Sequence, residues 1–142
     1  MDAHHKHRFY CSATHRVSVR DSLVFEDAAV RVLTCMIDIT NISQWENLLA
    51  GSESTPFIVF KHSKTCPESG DIMRGMEEEN SPFDGEIYRV TAQTSQDVAS
   101  QIAQDLGVEH ETPQLIVVKN QKAVYAASHL DIDMQTAARC LE

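Results

Sequence analysis

The stretch FKHSKTCPES, residues 60 to 69, sets a lone cysteine, Cys66, between an apolar run and a proline. A cysteine so placed has two readings, a small hydrophobe that packs or a thiolate that reacts. Three features favour the reactive one. Pro67 suits the first turn of a helix, because the N–H it lacks is one that a helix start leaves unpaired. Cys66 then lies at the helix N-terminus, where free backbone N–H groups and the helix dipole favour an anion. Lys61, His62 and Lys64 add basic side chains within five residues of the sulfur. Glu68 acts in the opposite sense, since a carboxylate beside a thiolate disfavours it. The run TCPE matches the S/T-x-x-E capping box, so Thr65 is expected to cap the helix while Glu68 reaches back to the Thr65 N–H. His62 keeps two readings: a base that assists deprotonation, or an ordinary surface residue at a strand end.

Other chemistry-bearing residues carry less. His4, His5, His7 and His15 invite a metal, but closely spaced histidines in a polar terminus read first as a solvated tail, and no metal site is expected. His129 is read as structural. Cys140 is a candidate to resolve a disulfide on Cys66, although the far end of the domain is its expected address. Thr112-Pro113 bends the chain just before QLIVV; only ~5–6% of X-Pro bonds are cis in folded proteins, so the residues alone favour trans.

The elements that must position these groups follow from periodicity. MIDIT (36 to 40) alternates as a short strand, and Thr40 or Asn41 can cap a helix in which Ile42, Trp45, Leu48 and Leu49 recur, with Gly51 to end it. PFIVF is a near-continuous apolar run, the pattern of a strand covered on both faces. A helix is expected from Pro67 to about Met76, a strand at EIYRV, and a helix from Asp97 to Leu106 that stops at Gly107. QLIVV and AVYAA, separated by KNQK, form a hairpin, and DMQTAARCLE closes as a helix. Strands joined through helices are expected to be parallel and the hairpin antiparallel. The result is an α/β protein with a mixed central β-sheet flanked by helices, an order shared with the thioredoxin-like fold. Reactive groups in such sheets gather beyond the carboxyl ends of the strands, where Cys66 lies.

Composition bounds the partners. Twelve basic and 21 acidic side chains give a net charge of −9, which disfavours nucleic acid and anionic membrane. Residues 1 to 35 hold five basic and four acidic side chains, leaving −10 on the remainder. That leader is expected to be poorly structured; a start codon assigned too early, with Met36 the true start, is a second reading of it. The four cysteines, at 11, 35, 66 and 140, form no C-x-x-C pair, which suggests a reducing cytoplasm. No apolar stretch approaches the ~20 residues of a membrane span, and the N-terminus lacks a signal-like apolar core.

FIVFKHSKTCPES and HETPQLIVVKNQKAVYAASHLDI, in that order, resemble the YtxJ-like monothiol bacilliredoxin family of thioredoxin-fold proteins, over residues 36 to 142. The family pattern is F-K-H-S, then T-C-P-I-S, later H-E-S-P-Q, and A-S-H after the hairpin. The resemblance implies that Cys66 is the redox thiol, that Ser69 replaces the second cysteine of a C-x-x-C, and that Pro113 is a cis-proline facing the sulfur. It also implies that the Thr112 backbone binds a partner chain. The sequence departs from the pattern at Glu68 (isoleucine), Thr112 (serine), Gln121 (the glycine of K-N-G-K) and Leu130 (aromatic or small). Gln121 is expected at positive φ in the turn. The implied activity is that of a monomeric, cytoplasmic thiol–disulfide oxidoreductase with no bound cofactor. It would remove a low-molecular-weight thiol, bacillithiol by resemblance, from S-thiolated proteins. A non-catalytic binding module, which Glu68 favours, and an iron–sulfur carrier with Cys66 as ligand are the alternatives.

Overall fold

A computed structural model describes residues 34–78 and 80–142. The expectations for residues 1–33 of the leader, including His4, His5, His7, His15 and Cys11, lie outside the described residues; Thr34 and Cys35, also assigned to the leader, are buried, and Cys35 opens the first strand. In chain order the elements are β1 (Cys35–Asp38), α1 (Ile42–Gly51), β2 (Phe57–His62), α2 (Pro67–Glu77), β3 (Glu86–Thr91), α3 (Gln96–Leu106), β4 (Gln114–Lys119), β5 (Lys122–Ser128), a 3₁₀ turn (His129–Asp131) and α4 (Met134–Arg139).

The five strands form one sheet in the order β1-β3-β2-β4-β5. β1, β3 and β2 are parallel; β4 runs antiparallel to β2, and β5 to β4. One topological expectation fails here. β3 and β4 are joined through helix α3, yet they run in opposite directions, because the loop after α3 delivers the chain to the end of the sheet from which β2 departs: Gln114 pairs with Lys61. A connecting helix enforces parallel strands only when it returns the chain to the starting edge.

Every residue of β2 is buried, as an apolar run covered on both faces requires. Its alternation sorts two cores. Phe57 and Val59 join Ile39, Trp45, Val90, Ile102 and Ile116 on the α1/α3 side. Ile58 and Phe60 join Met76, Phe83, Ile87 and Leu115 on the α2/α4 side. Each fully buried side chain of this size contributes about 1.5–3 kcal/mol. Trp45 adds specificity to the first core, donating its indole N–H to Asp105 at 2.8 Å and meeting the Phe57 ring edge-on.

Gly107 ends α3 at φ 65°, as expected. Gly51 does not end α1 in that way. It is the last helical residue, and Ser52 follows as a right-handed cap at φ −69°. Ser52 also braces the hairpin: its carbonyl accepts the Asn120 N–H at 2.9 Å and its hydroxyl accepts the Gln121 N–H at 2.8 Å. Asn120 and Gln121 have φ 52° and 61°, the backbone of a type I′ turn. A non-glycine residue there costs roughly 1–2 kcal/mol, and the Ser52 bonds offset part of that. No helix among the described residues is long and apolar enough to cross a membrane.

Candidate active site

β2 ends at His62 and a four-residue loop leads into α2. The residue at the cap position is Cys66 itself, at φ −102° and ψ 113°, with Pro67 as the first helical residue. Thr65 does not cap the helix, and the expected Thr65–Glu68 box is absent. The helix begins one residue later than that box needs, so Glu68 occupies the second helical position instead of the third. Both side chains are engaged elsewhere. The Thr65 hydroxyl faces Ser63 Oγ at 3.3 Å and Gln93 Nε2 at 3.4 Å, and Glu68 Oε1 accepts from His129 Nδ1 at 3.1 Å. No side chain caps α2, so its opening N–H groups are directed at the end of the helix where the half-exposed Cys66 thiol sits. Cys66 and Cys140 carry the free thiols among the described residues.

Ser69 fills the place a second cysteine would take. It is 0% exposed; its hydroxyl oxygen accepts the Ser63 N–H at 3.0 Å and lies 2.7 Å from His62 Nδ1. His62 is buried as well, which rules out the surface reading. Burial, with Arg89 and Lys64 nearby, holds it below the usual histidine range. His62 Nδ1 and the Ser63 N–H thus share the Ser69 hydroxyl as their common partner.

The three basic residues expected around the sulfur separate. Lys61 alternates with Phe57 and Val59, so it points to the face of the sheet away from α2, where it is 0% exposed and its Nζ donates to His110 Nδ1 at 3.3 Å. Burial lowers Lys61 to about 8, and His110 is lowered by burial and by Lys61. Lys64 is exposed in the loop, and His62 lies under α2.

Two cross-links join the loop to remote parts of the chain. Gln93, after β3, accepts the Lys64 N–H at 3.1 Å and donates to Ser63 Oγ at 2.8 Å. His129, at φ 55°, bridges Glu68 at 3.1 Å and Glu111 at 3.5 Å, linking the start of α2 to the residue before Thr112. Gln93, Glu111 and His110 escaped the sequence reading; the H-E of HETPQ was the one available signal, whereas Gln93 carries none. The Thr112-Pro113 bond is cis, as the resemblance implied and the residues alone did not. It opens β4 beside the end of β2. Cys140 caps the end of α4, and the adjacent Leu141 lines a hollow with Pro56, Phe57 and Glu86, at the starts of β2 and β3. Cys66 follows the opposite end of β2. A six-residue strand is roughly 17–20 Å long, whereas a disulfide needs Cα atoms within about 7 Å. Cys140 therefore has no resolving role within one chain. Among the described residues, no cluster of three or more histidine, cysteine or carboxylate side chains is arranged to hold a metal ion.

A family model described as monothiol bacilliredoxin BrxC matches residues 37–137. Among solved structures, a candidate oxidoreductase with a thioredoxin fold is 29% identical, with a TM-score of 0.63, over 75% of this chain and 94% of its own. The thioredoxin of Malassezia sympodialis is 18% identical, with a TM-score of 0.58, over 82% and 97%. The oxidised thioredoxin of Plasmodium falciparum is 15% identical, with a TM-score of 0.57, over 75% and 99%. The last two establish the fold.

Proposed function

Because the chain belongs to the monothiol bacilliredoxin family, we propose that it is a thiol–disulfide oxidoreductase that removes a low-molecular-weight thiol from S-thiolated proteins through Cys66. The carrying observation is that Cys66 stands at an uncapped helix start with a buried, hydrogen-bonded Ser69 where a second thiol would be. The Cys66 thiolate attacks the small-thiol sulfur of a protein–S–S–R disulfide. That S–S bond breaks, Cys66–S–S–R forms, and the protein sulfur leaves as a thiolate that takes a proton from solvent. Cys66 is oxidised as the protein cysteine is reduced. A second small thiol, R–SH, then attacks Cys66–S–S–R as its thiolate, releasing R–S–S–R and restoring Cys66. With Ser69 in place the adduct has no internal route to resolution, which favours this cycle over reduction of protein disulfides.

Pro67 sets the helix start, and Thr112 with Pro113, beside the end of β2, offers the backbone along which the protein substrate lies. Bacillithiol is the co-substrate that family membership favours, and the cytoplasm is the compartment that supplies it. In the decisive experiment, a model protein carrying a bacillithiol mixed disulfide is incubated with the chain. The expected result is release of the reduced protein and a Cys66 adduct with the mass of bacillithiol. Release by Cys66→Ser at the parent rate would refute the reading.

A further inference from the structure

Beyond the ends of β1 and β3, next to the Cys66 loop, lies a hollow of about 180 Å³ lined by Asp38, Thr40, Lys64, Arg89, Thr91 and Ser95 among others. We propose that it is a carboxylate subsite for the small thiol, gripping an acidic group on that molecule while its sulfur is joined to Cys66. The inference rests on the thiol-exchange reading above and adds the charge of the co-substrate and the place where it is held.

Four observations converge on an anion. Ser95 is the cap residue of α3, an eleven-residue helix, and it makes no capping bond, so the first N–H groups of that helix lack a side-chain acceptor. Ser95 is also 3% exposed and Thr91 9%, both line the hollow, and neither hydroxyl has a hydrogen-bond partner among the described residues. Neither oxygen is sealed from solvent, so both stay free to donate to a ligand that enters the hollow. Lys64 contributes an ammonium that forms no ion pair among the described residues. Arg89 is committed, gripping Asp38 through Nε at 2.7 Å and Nη2 at 2.9 Å, and this pairing cancels the one carboxylate on the wall. The lining is left with one net positive charge in a chain of −9.

That single cation also selects the ligand. With Asp38 in the wall and Asp97 exposed in the first turn of α3, a monoanionic carboxylate is matched better than a phosphate dianion. Position ties the hollow to the reaction: Gln93 bonds the loop that carries Ser95 to the backbone of Lys64, two residues before Cys66.

Two measurements on the full chain test this. Acetate titrated against the ¹⁵N-labelled protein is expected to shift the amides of Lys64 and Gln96 to Val98, and Lys64→Gln or Ser95→Ala to weaken the effect. Separately, a model protein is S-thiolated with the C-terminal amide of cysteinyl-aspartate or of cysteinyl-asparagine, so that the aspartate side chain is the one carboxylate by which the two probes differ. Transfer to Cys66 is expected to be about fivefold faster for the first, as suits one partly exposed charged contact. Lys64→Gln brings the ratio near one and Lys64→Arg keeps it above one, whatever happens to the absolute rates. Acetate without effect on those amides, or a parent ratio of one, overturns the subsite and leaves the thiol exchange standing. Transfer from neither probe refutes the exchange, and with it the assignment of the hollow to a co-substrate.

Discussion

Helices α1 and α2 both begin just beyond the carboxyl end of a parallel strand, and they treat their opening N–H groups in opposite ways. At α1 the Asn41 side chain accepts the Gln44 N–H at 2.9 Å while Gln44 Oε1 accepts the Thr40 N–H at 2.7 Å and the Asn41 N–H at 3.3 Å. The box is closed. At α2 the cap position holds a thiol, the next residue is proline, and neighbouring side chains with capping ability are drawn away, Thr65 to Ser63 and Gln93, Glu68 to His129. The difference teaches that a helix start can be spent on stability or kept for an incoming anion, and that keeping it free takes partners elsewhere for the side chains that would otherwise close it. The start of α3, with Ser95 uncapped, belongs with α2.

The largest expected effect comes from the support beneath the open start. Ser69→Ala leaves the Ser63 N–H and His62 Nδ1 without their partner in a dry site, a loss of about 1–3 kcal/mol. Urea denaturation measures it, and an unchanged midpoint would mean that the network does not hold the loop. Asn41→Ala should cost about 1 kcal/mol through the lost cap and leave the alkylation rate of Cys66 unchanged. A slowed Cys66 would show that the two starts are coupled. Cys66→Ser closes the open start with a good capping residue, so a gain of about 0.5–1 kcal/mol is expected alongside loss of transfer; a loss of stability would contradict the view of α2 as uncapped.

The smallest effect concerns the buried cation behind the site. Lys61 is lowered from 10.5 to about 8, so between those values the unfolded chain holds more protons than the folded one, and stability rises with pH across that window. Lys61→Met should abolish the rise, as thermal melts at pH 8 and pH 10 would show. His62 and His110, both lowered from 6.5, act in the same sense at acid pH: stability present above 6.5 is lost as pH falls below it.

Much of this was written locally. The strands and helices follow from runs and stripes of four to eleven residues, the Gly107 stop from one glycine, and the position of Cys66 at a helix start from Cys-Pro after an apolar strand, because each depends on neighbours within a turn or two of chain. The Gln121 turn was legible for the same reason. What the tertiary structure decided are the meetings of residues far apart in sequence. Lys61 left the sulfur for His110 because strand alternation sends it to the other face. Glu68 gave up the capping box for His129, 61 positions away. Gln93 stitched two loops together, and β4 ran against β3. Single hydrogen bonds and side-chain directions of this kind have no periodicity to betray them. They exist once the cores on both faces of the sheet have brought the loops to one end, and packing energy, larger than any one of these bonds, determines where that end is.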